Sequence, residues 1–549
     1  VRRRILFLAA VLAALAVADA QAARKTVCTI TINSSDEKET FRRNLPEDDY
    51  EFVELVERGQ PNWFASACRR DVSCDVLVVS GHFDDGTEFY SDRLGARESL
   101  PVEMLERAAC SDSCPSVFSR LKEVYLFGCN TLEPAPLRLA TAEIGRSLVR
   151  AGYSIADAER LSRELAEKYG ESNRDRMRRV FKDVPVIYGF SAKAPLGAAA
   201  GPALERYFRT GTDTEFGSGR PSPKLISVLA PASMTATSGV TDSDADASVR
   251  NDLCELADGR LTAAHKLAFV HAVLARDMAE VRMELDRIEK YVGSLSDADR
   301  ARPDVAEALR AIAEDPTARD RYLEFARDAD EPSTRARMIE LAAALGWLSP
   351  TERRVELARM FSDRLRGDQV GVVEVDLACA LNKDRALDAE RESVSIDAAA
   401  ADRIAPTAVL ACLGSARARE RVLRALASTS QDDVRIAQTY LNHRPLAGAR
   451  ELQDVAAAVL RMNAPEAQVR ALETLAGYRL ADRETLEGLT RLFSLAKSVD
   501  VQRAIAGVLI RADTTILAGP ALARALRAQR IKSPDGADVI DILIRRLAS

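Results

Sequence analysis

Histidine is scarce in this chain, four residues in 549, and aromatic residues make up only 5%. A metal centre built on imidazoles therefore has few ligands to draw on. His265 and His271 stand six apart, which is not the i, i+4 spacing of two ligands on one helix face, and His443 falls in a turn. Cys110-x-x-x-Cys114 has no second ligand pair near it to complete a zinc site. Asp242, Asp244 and Asp246 alternate like the start of a calcium loop but lack its sixth-position glycine, so they read as solvated linker. Neither a Walker A loop nor G-x-G-x-x-G occurs, and Gly189-Phe190-Ser191-Ala192-Lys193 lacks the closing glycine of a serine-hydrolase elbow. No metal or organic cofactor is implied. A net charge of −6 gives no field for nucleic acid. Past residue 22 no apolar run approaches the roughly 20 residues of a membrane helix, so no stable membrane anchor is expected.

What is present is ordinary globular material, 47% hydrophobic and 29% charged, in a chain too long for one core. Arg2, Arg3 and Arg4 precede an apolar stretch over 5–18 and small residues at Ala18-Asp19-Ala20 or Ala20-Gln21-Ala22. That pattern predicts a signal peptide over 1–22 and export to a bacterial periplasm or beyond. In an exported chain, nine cysteines point to disulfides with one thiol left over. Short loops favour Cys68 with Cys74 and Cys110 with Cys114, Cys379 and Cys412 fall in adjacent predicted helices, and Cys28 with Cys254 remains. Eight cysteines allow many connectivities and buried thiols are common, so the pairing stays open. If all four bonds form, Cys129 is the free thiol.

Two apolar runs read as buried parallel strands: Asp75-Val76-Leu77-Val78-Val79-Ser80-Gly81-His82 and Glu123-Val124-Tyr125-Leu126-Phe127-Gly128-Cys129. Each closes on a glycine followed by a group with chemistry, an imidazole in the first and a thiol in the second. The 47 residues from His82 to Cys129 leave room for a crossover with helix, so the two strands can be parallel neighbours. In an open α/β sheet ligands bind beyond the carboxyl ends of the strands, which places both residues at one rim. A thiolate attacks a carbonyl and an imidazole takes its proton and returns it to the leaving group, so the pair has the make-up of a cysteine-histidine dyad.

These segments resemble the caspase-like cysteine peptidases, in particular the bacterial CHAT-type domains joined to helical repeats. Ser80, His82, Asp84, Asp85 and Gly86 match the family's histidine segment, and Gly128-Cys129-Asn130-Thr131 its nucleophile segment. Residues 184–197 look like its next strand and substrate-side loop. The resemblance implies catalysis by His82 and Cys129, an oxyanion site on the backbone N–H groups of Phe83 and Cys129, and a substrate pocket that includes Asp84, Asp85, Ser191 and Lys193. One position departs from the pattern: the family's glycine follows the histidine, whereas here Gly81 precedes it and Phe83 follows.

Glycine, serine, threonine, proline and aspartate dominate 210–249, the composition of a linker. Beyond it the pattern is helical almost throughout. Asp432-Asp433-Val434-Arg435-Ile436-Ala437 recurs 35 residues later as Ala467-Gln468-Val469-Arg470-Ala471-Leu472, and more weakly from Val499, which resembles HEAT-type repeats. The expected layout is a signal peptide (1–22), a caspase-like α/β domain with a parallel-rich sheet between helices (23–215), a linker (216–250) and an all-α solenoid (251–549). The expected function is an exported cysteine endopeptidase acting on a peptide or protein substrate, with a protein partner on the repeats. The alternative is a catalytically inactive caspase-like domain on a binding scaffold.

Overall fold

The computed structural model describes residues 24–548 apart from 56–67, 69–71, 85–86, 93–97, 112–113, 136–147, 150–152, 170–171, 212–214, 330, 368–369, 396–401 and 514–518. The expected signal peptide and Asp85 lie outside the described residues. The chain divides into two compact units, one ending at Ala318 and one beginning at Arg319.

The first unit is built on a six-stranded sheet. Strands β1 (Lys25–Thr31), β2 (Tyr50–Glu54) and β3 (Val76–Ser80) join β7 (Glu123–Phe127), β8 (Val186–Phe190) and β9 (Met234–Thr237) in the order β2-β1-β3-β7-β8-β9. All neighbours are parallel except β9, which runs antiparallel to β8. The segment between β3 and β7 forms a separate antiparallel sheet of β4 (His82–Asp84), β5 (Glu88–Tyr90) and β6 (Ser99–Pro101).

Because successive side chains on a strand point to opposite faces, each central strand feeds two cores. Val76, Val78, Tyr125, Phe127, Tyr188 and Phe190 face α1 (Asp36–Asn44) and, further along the chain, helices Gly197–Phe208 and Pro223–Leu229, through Phe41, Leu204, Tyr207 and Leu225. Leu77, Val79, Val124, Leu126 and Ile187 face α2 (Val102–Cys110) and α3 (Asn173–Val180) through Leu105, Ala108, Met177 and Val180. Burial on both faces is why β3, β7 and β8 read as unbroken apolar runs.

Two sequence expectations are corrected here. The stretch 216–250 is no linker: it supplies helix Pro223–Leu229 and the edge strand β9. Asp244 and Asp246 both pair with Arg178, and Asp242 pairs with Lys182 at 2.7 Å. Polar, glycine-rich composition signalled turns, but the Met234–Thr237 strand needs only one partner and one buried face. The helices over 247–313 also belong to this first unit.

The disulfides are the second correction. Cys28 joins Cys74, Cys68 joins Cys114, and Cys110 joins Cys254, while Cys379–Cys412 is as expected. Adjacent parallel strands bring Cys28 on β1 beside Cys74 at the entry to β3, a proximity that short-loop reasoning cannot detect. Four disulfides fit an oxidising compartment. Among the described residues no helix is long and apolar enough to cross a membrane.

The second unit is all helical among its described residues. Helices Gln431–His443, Pro465–Leu475, Val499–Arg511 and Val539–Ala548 pack in succession, and Ala449–Leu460, Arg483–Leu495 and Gly519–Gln529 pack in succession beside them. The first three helices of the leading row start 34 residues apart, not 35, so Val434, Gln468 and Gln502 are the equivalent positions. All three are buried. Matching Val-Arg-Ala letters slipped the register by one, because letter similarity ignores which residue faces inward.

The glutamines have a common task. Gln468 Nε2 donates to the Val459 carbonyl and Gln502 Nε2 to the Phe493 carbonyl, each near the end of the preceding helix, where carbonyls lack helical partners. Gln502 also donates to the Gln529 carbonyl and accepts from the Ile531 N–H. Gln502→Met keeps the volume but orphans three backbone groups, one buried and two partly buried. We expect it to cost about 2–4 kcal/mol, read as a lowered midpoint of the second unit in thermal unfolding. An unchanged midpoint would show that water replaces the amide.

Candidate active site at the carboxyl rim of the sheet

The site begins with a register. Ser80 on β3 pairs with Phe127 on β7, and the Gly81 N–H donates to the Phe127 carbonyl at 3.1 Å. Beyond that pair the two chains press together. A Cβ on Gly128 would stand 2.8 Å from Phe83 Cβ and 3.1 Å from the Gly81 carbonyl oxygen, so no larger residue fits without movement. His82 and Cys129 follow, each two residues past the Ser80–Phe127 pair on neighbouring strands. Cys129 is the single free cysteine and is partly buried.

The turn that carries Cys129 is tied on three sides. Asn130 adopts the left-handed conformation (φ 57°), its N–H donates to the Ala192 carbonyl at 2.7 Å, and its own carbonyl accepts from Asn173 Nδ2 at 2.9 Å. The Thr131 hydroxyl accepts the Phe190 N–H at 3.1 Å. It lies so near β8 that a Cβ on Gly189 would come within 2.6 Å of it, which is why that strand carries a glycine there. The Leu132 N–H is also engaged, by the Phe190 carbonyl. Among the described residues no hydrogen bond takes up the Cys129 N–H.

On the facing strand, His82 starts β4 and its side chain is 28% exposed. Its Nε2 is 3.6 Å from Asp92 Oδ2, too long for a hydrogen bond but within ion-pair range when the ring is protonated, and Tyr90 lies alongside at 5.4 Å between ring centroids. Phe83 is buried, with its ring 4.6 Å from that of Phe89 in the α2-side core. The bulk that replaces the resembled family's glycine is therefore absorbed by the core. Asp84 closes β4 opposite Glu88, while Asp85 is outside the described residues.

Ser191 and Lys193 follow β8, on either side of the Ala192 carbonyl that holds the Cys129 turn. The Ser191 hydroxyl and N–H both donate to the Ser233 carbonyl, and Lys193 is exposed. His82, Phe83, Cys129, Ser191 and Lys193 thus lie on the segments that follow three adjacent strands, the first two of them in β4.

Two features went unseen in the sequence. Asp92, the carboxylate facing His82, carries no local signal. Glu37, in the first turn of α1, has the pattern of an exposed helix-start acid yet is 3% exposed. Among the described residues neither its Oε2 nor the buried Ser80 Oγ at the end of β3 makes a hydrogen bond of normal geometry, although the Ser80 hydroxyl is near enough to interact with the carboxyl. Burial raises the Glu37 pKa above its ordinary value and the neighbouring Asp36 charge adds to this, while its own N–H and the Ser80 and Ser34 hydroxyls oppose it. A raised carboxyl pKa means that the folded state holds the proton more tightly than the unfolded state. Stability is then lost as pH rises from 4.5 through the folded value. Glu37→Gln, which cannot ionise, is expected to raise the thermal midpoint at pH 7 by about 2–4 °C, with the gain vanishing below pH 4.5. A lower midpoint at pH 7 would mean that the carboxylate makes a stabilising contact.

No family model matches the chain, and neither a curated protein nor a solved structure matches it.

Proposed function

We propose that the protein is an exported, caspase-like cysteine endopeptidase whose HEAT-like helical repeats engage a protein substrate or partner. One observation supports the reading: the cysteine left out of every disulfide and a histidine each follow by two residues the paired ends, Ser80 and Phe127, of two adjacent parallel strands. In this scheme His82 takes the proton of the Cys129 thiol, and the thiolate sulfur attacks the peptide carbonyl carbon. The resulting oxyanion is held by the N–H groups of Phe83 and Cys129. The C–N bond then breaks as His82 returns the proton to the amine, and water hydrolyses the thioester with His82 again as base. Asp92 would stabilise the imidazolium formed on the way. Asp84, Asp85, Ser191 and Lys193 would line the substrate pocket. The four disulfides support a periplasmic or secreted location.

A second reading, a catalytically inactive domain on a binding scaffold, is favoured by Phe83, whose backbone is paired with Phe89 in a strand where the resembled family has a free glycine turn. The two separate in one experiment. The mature protein is incubated with a proteome-derived peptide library, with Cys129→Ala alongside, and new termini are identified by mass spectrometry. Cuts that vanish in the variant support the peptidase and report its P1 residue; identical product lists, or none with reductant present, sink it in favour of the scaffold.

A further inference from the structure

A cavity of about 560 Å³ lies at the far end of the second unit, lined by helices Gly519–Gln529 and Val539–Ala548 and the loop that joins them. Its charge is lopsided. Arg527, Arg530, Lys532 and Arg545 line it against a single carboxylate, Asp541. Asp541 is already committed: it pairs with Arg530 and accepts the N–H groups of Asp535 and Gly536. Lys532 is neutralised outside the lining by Asp535 at 2.6 Å.

Two cations therefore remain without a carboxylate. Arg545 donates only to the Gly536 carbonyl, at 3.1 Å, and Arg527 makes no ion pair or hydrogen bond among the described residues. Arg530 adds a more specific sign. Its side chain is 8% exposed and its Nε donates to the Lys532 carbonyl, yet Nη2 is buried with no partner among the described residues. A buried guanidinium N–H without an acceptor is costly, and such a group is ordinarily satisfied by protein, water or ligand. Ile531, Pro534 and Ile544 supply apolar wall between the cations.

We infer that this cavity is a binding site for a small organic anion, whose phosphate or carboxylate oxygens are taken by Arg527, Arg530 and Arg545 and whose body rests on Ile531 and Ile544. Guanidinium forks match both oxyanions bidentately, and the volume suits a small molecule. This inference is independent of the peptidase reading.

Isothermal titration of the mature full-length protein with inorganic phosphate and with citrate, against sodium chloride at equal ionic strength, tests it. Saturable binding below about 1 mM is expected for at least one of the two, and the tighter probe identifies the headgroup as phosphate or carboxylate. Arg527→Gln removes a cation that holds no other part of the fold, and should weaken binding by roughly tenfold. Arg524→Gln, exposed on the same helix but not in the lining, should leave it unchanged. No saturable binding of either probe, or equal losses in the two variants, would overturn the site.

Discussion

Substituting His82 by alanine is expected to lower kcat/KM for peptide cleavage by about 10²–10⁴-fold while the protein keeps its wild-type melting profile. The imidazole is partly exposed and makes no hydrogen bond within normal range among the described residues, so its removal leaves no buried group there unsatisfied. The loss should therefore be chemical. Alkylation of Cys129 by iodoacetamide gives a second readout that needs no substrate. In the wild type, the rate near neutral pH should exceed that of an ordinary free thiol, because in the proposed dyad the imidazole draws off the proton. In His82→Ala it should fall to the ordinary rate. Only one cysteine is free, so the signal comes from a single site. Equal alkylation rates in the two proteins would separate the thiol from the imidazole and remove the dyad. Asp92→Asn should give a smaller loss, since the carboxylate is 3.6 Å from Nε2 and 71% exposed.

The largest stability effect is expected from the disulfide that spans the longest loop. Cys110 ends α2 and Cys254 lies in helix Ala247–Ala257, at a sequence separation of 144. Closing a loop of that length restrains the unfolded chain by about 5 kcal/mol in the chain-entropy account. The folded geometry is already arranged for the link, since Arg250 on that helix donates to the Arg179 and Ala109 carbonyls. Cys110→Ser with Cys254→Ser should lower the midpoint of the first unit by about 10–20 °C. Peptide mapping without reduction checks the connectivity directly: a fragment containing Cys254 should be joined to one containing Cys110. Linkage to Cys28 instead would restore the pair left over when the short loops close and refute the structural one.

The reach of the sequence is clear at particular residues. Val76–Ser80 and Glu123–Phe127 were legible as strands because a strand buried on both faces must be apolar at every position. β3 and β7, which His82 and Cys129 follow, were legible as parallel neighbours because a short crossover restricts where the second strand can go. Strand β9 was not legible, since four residues of edge strand leave too little pattern to outweigh the turn-forming composition around them. Asp92 escaped because it meets His82 through the fold of the small β4–β6 sheet, ten positions along the chain.

By itself, then, the sequence determined what periodicity and composition encode: a parallel-rich α/β unit, a long helical remainder, and one thiol and one imidazole at strand ends. Tertiary structure alone decided which cysteines of the first unit meet, where that unit stops, which carboxylates face His82 and lie beneath Ser80, and that the first three helices of the leading row start 34 residues apart. The reason is physical. Periodicity reports how each segment partitions between water and core, a property of the segment alone, whereas these pairings depend on how separate segments pack, for which no local pattern exists.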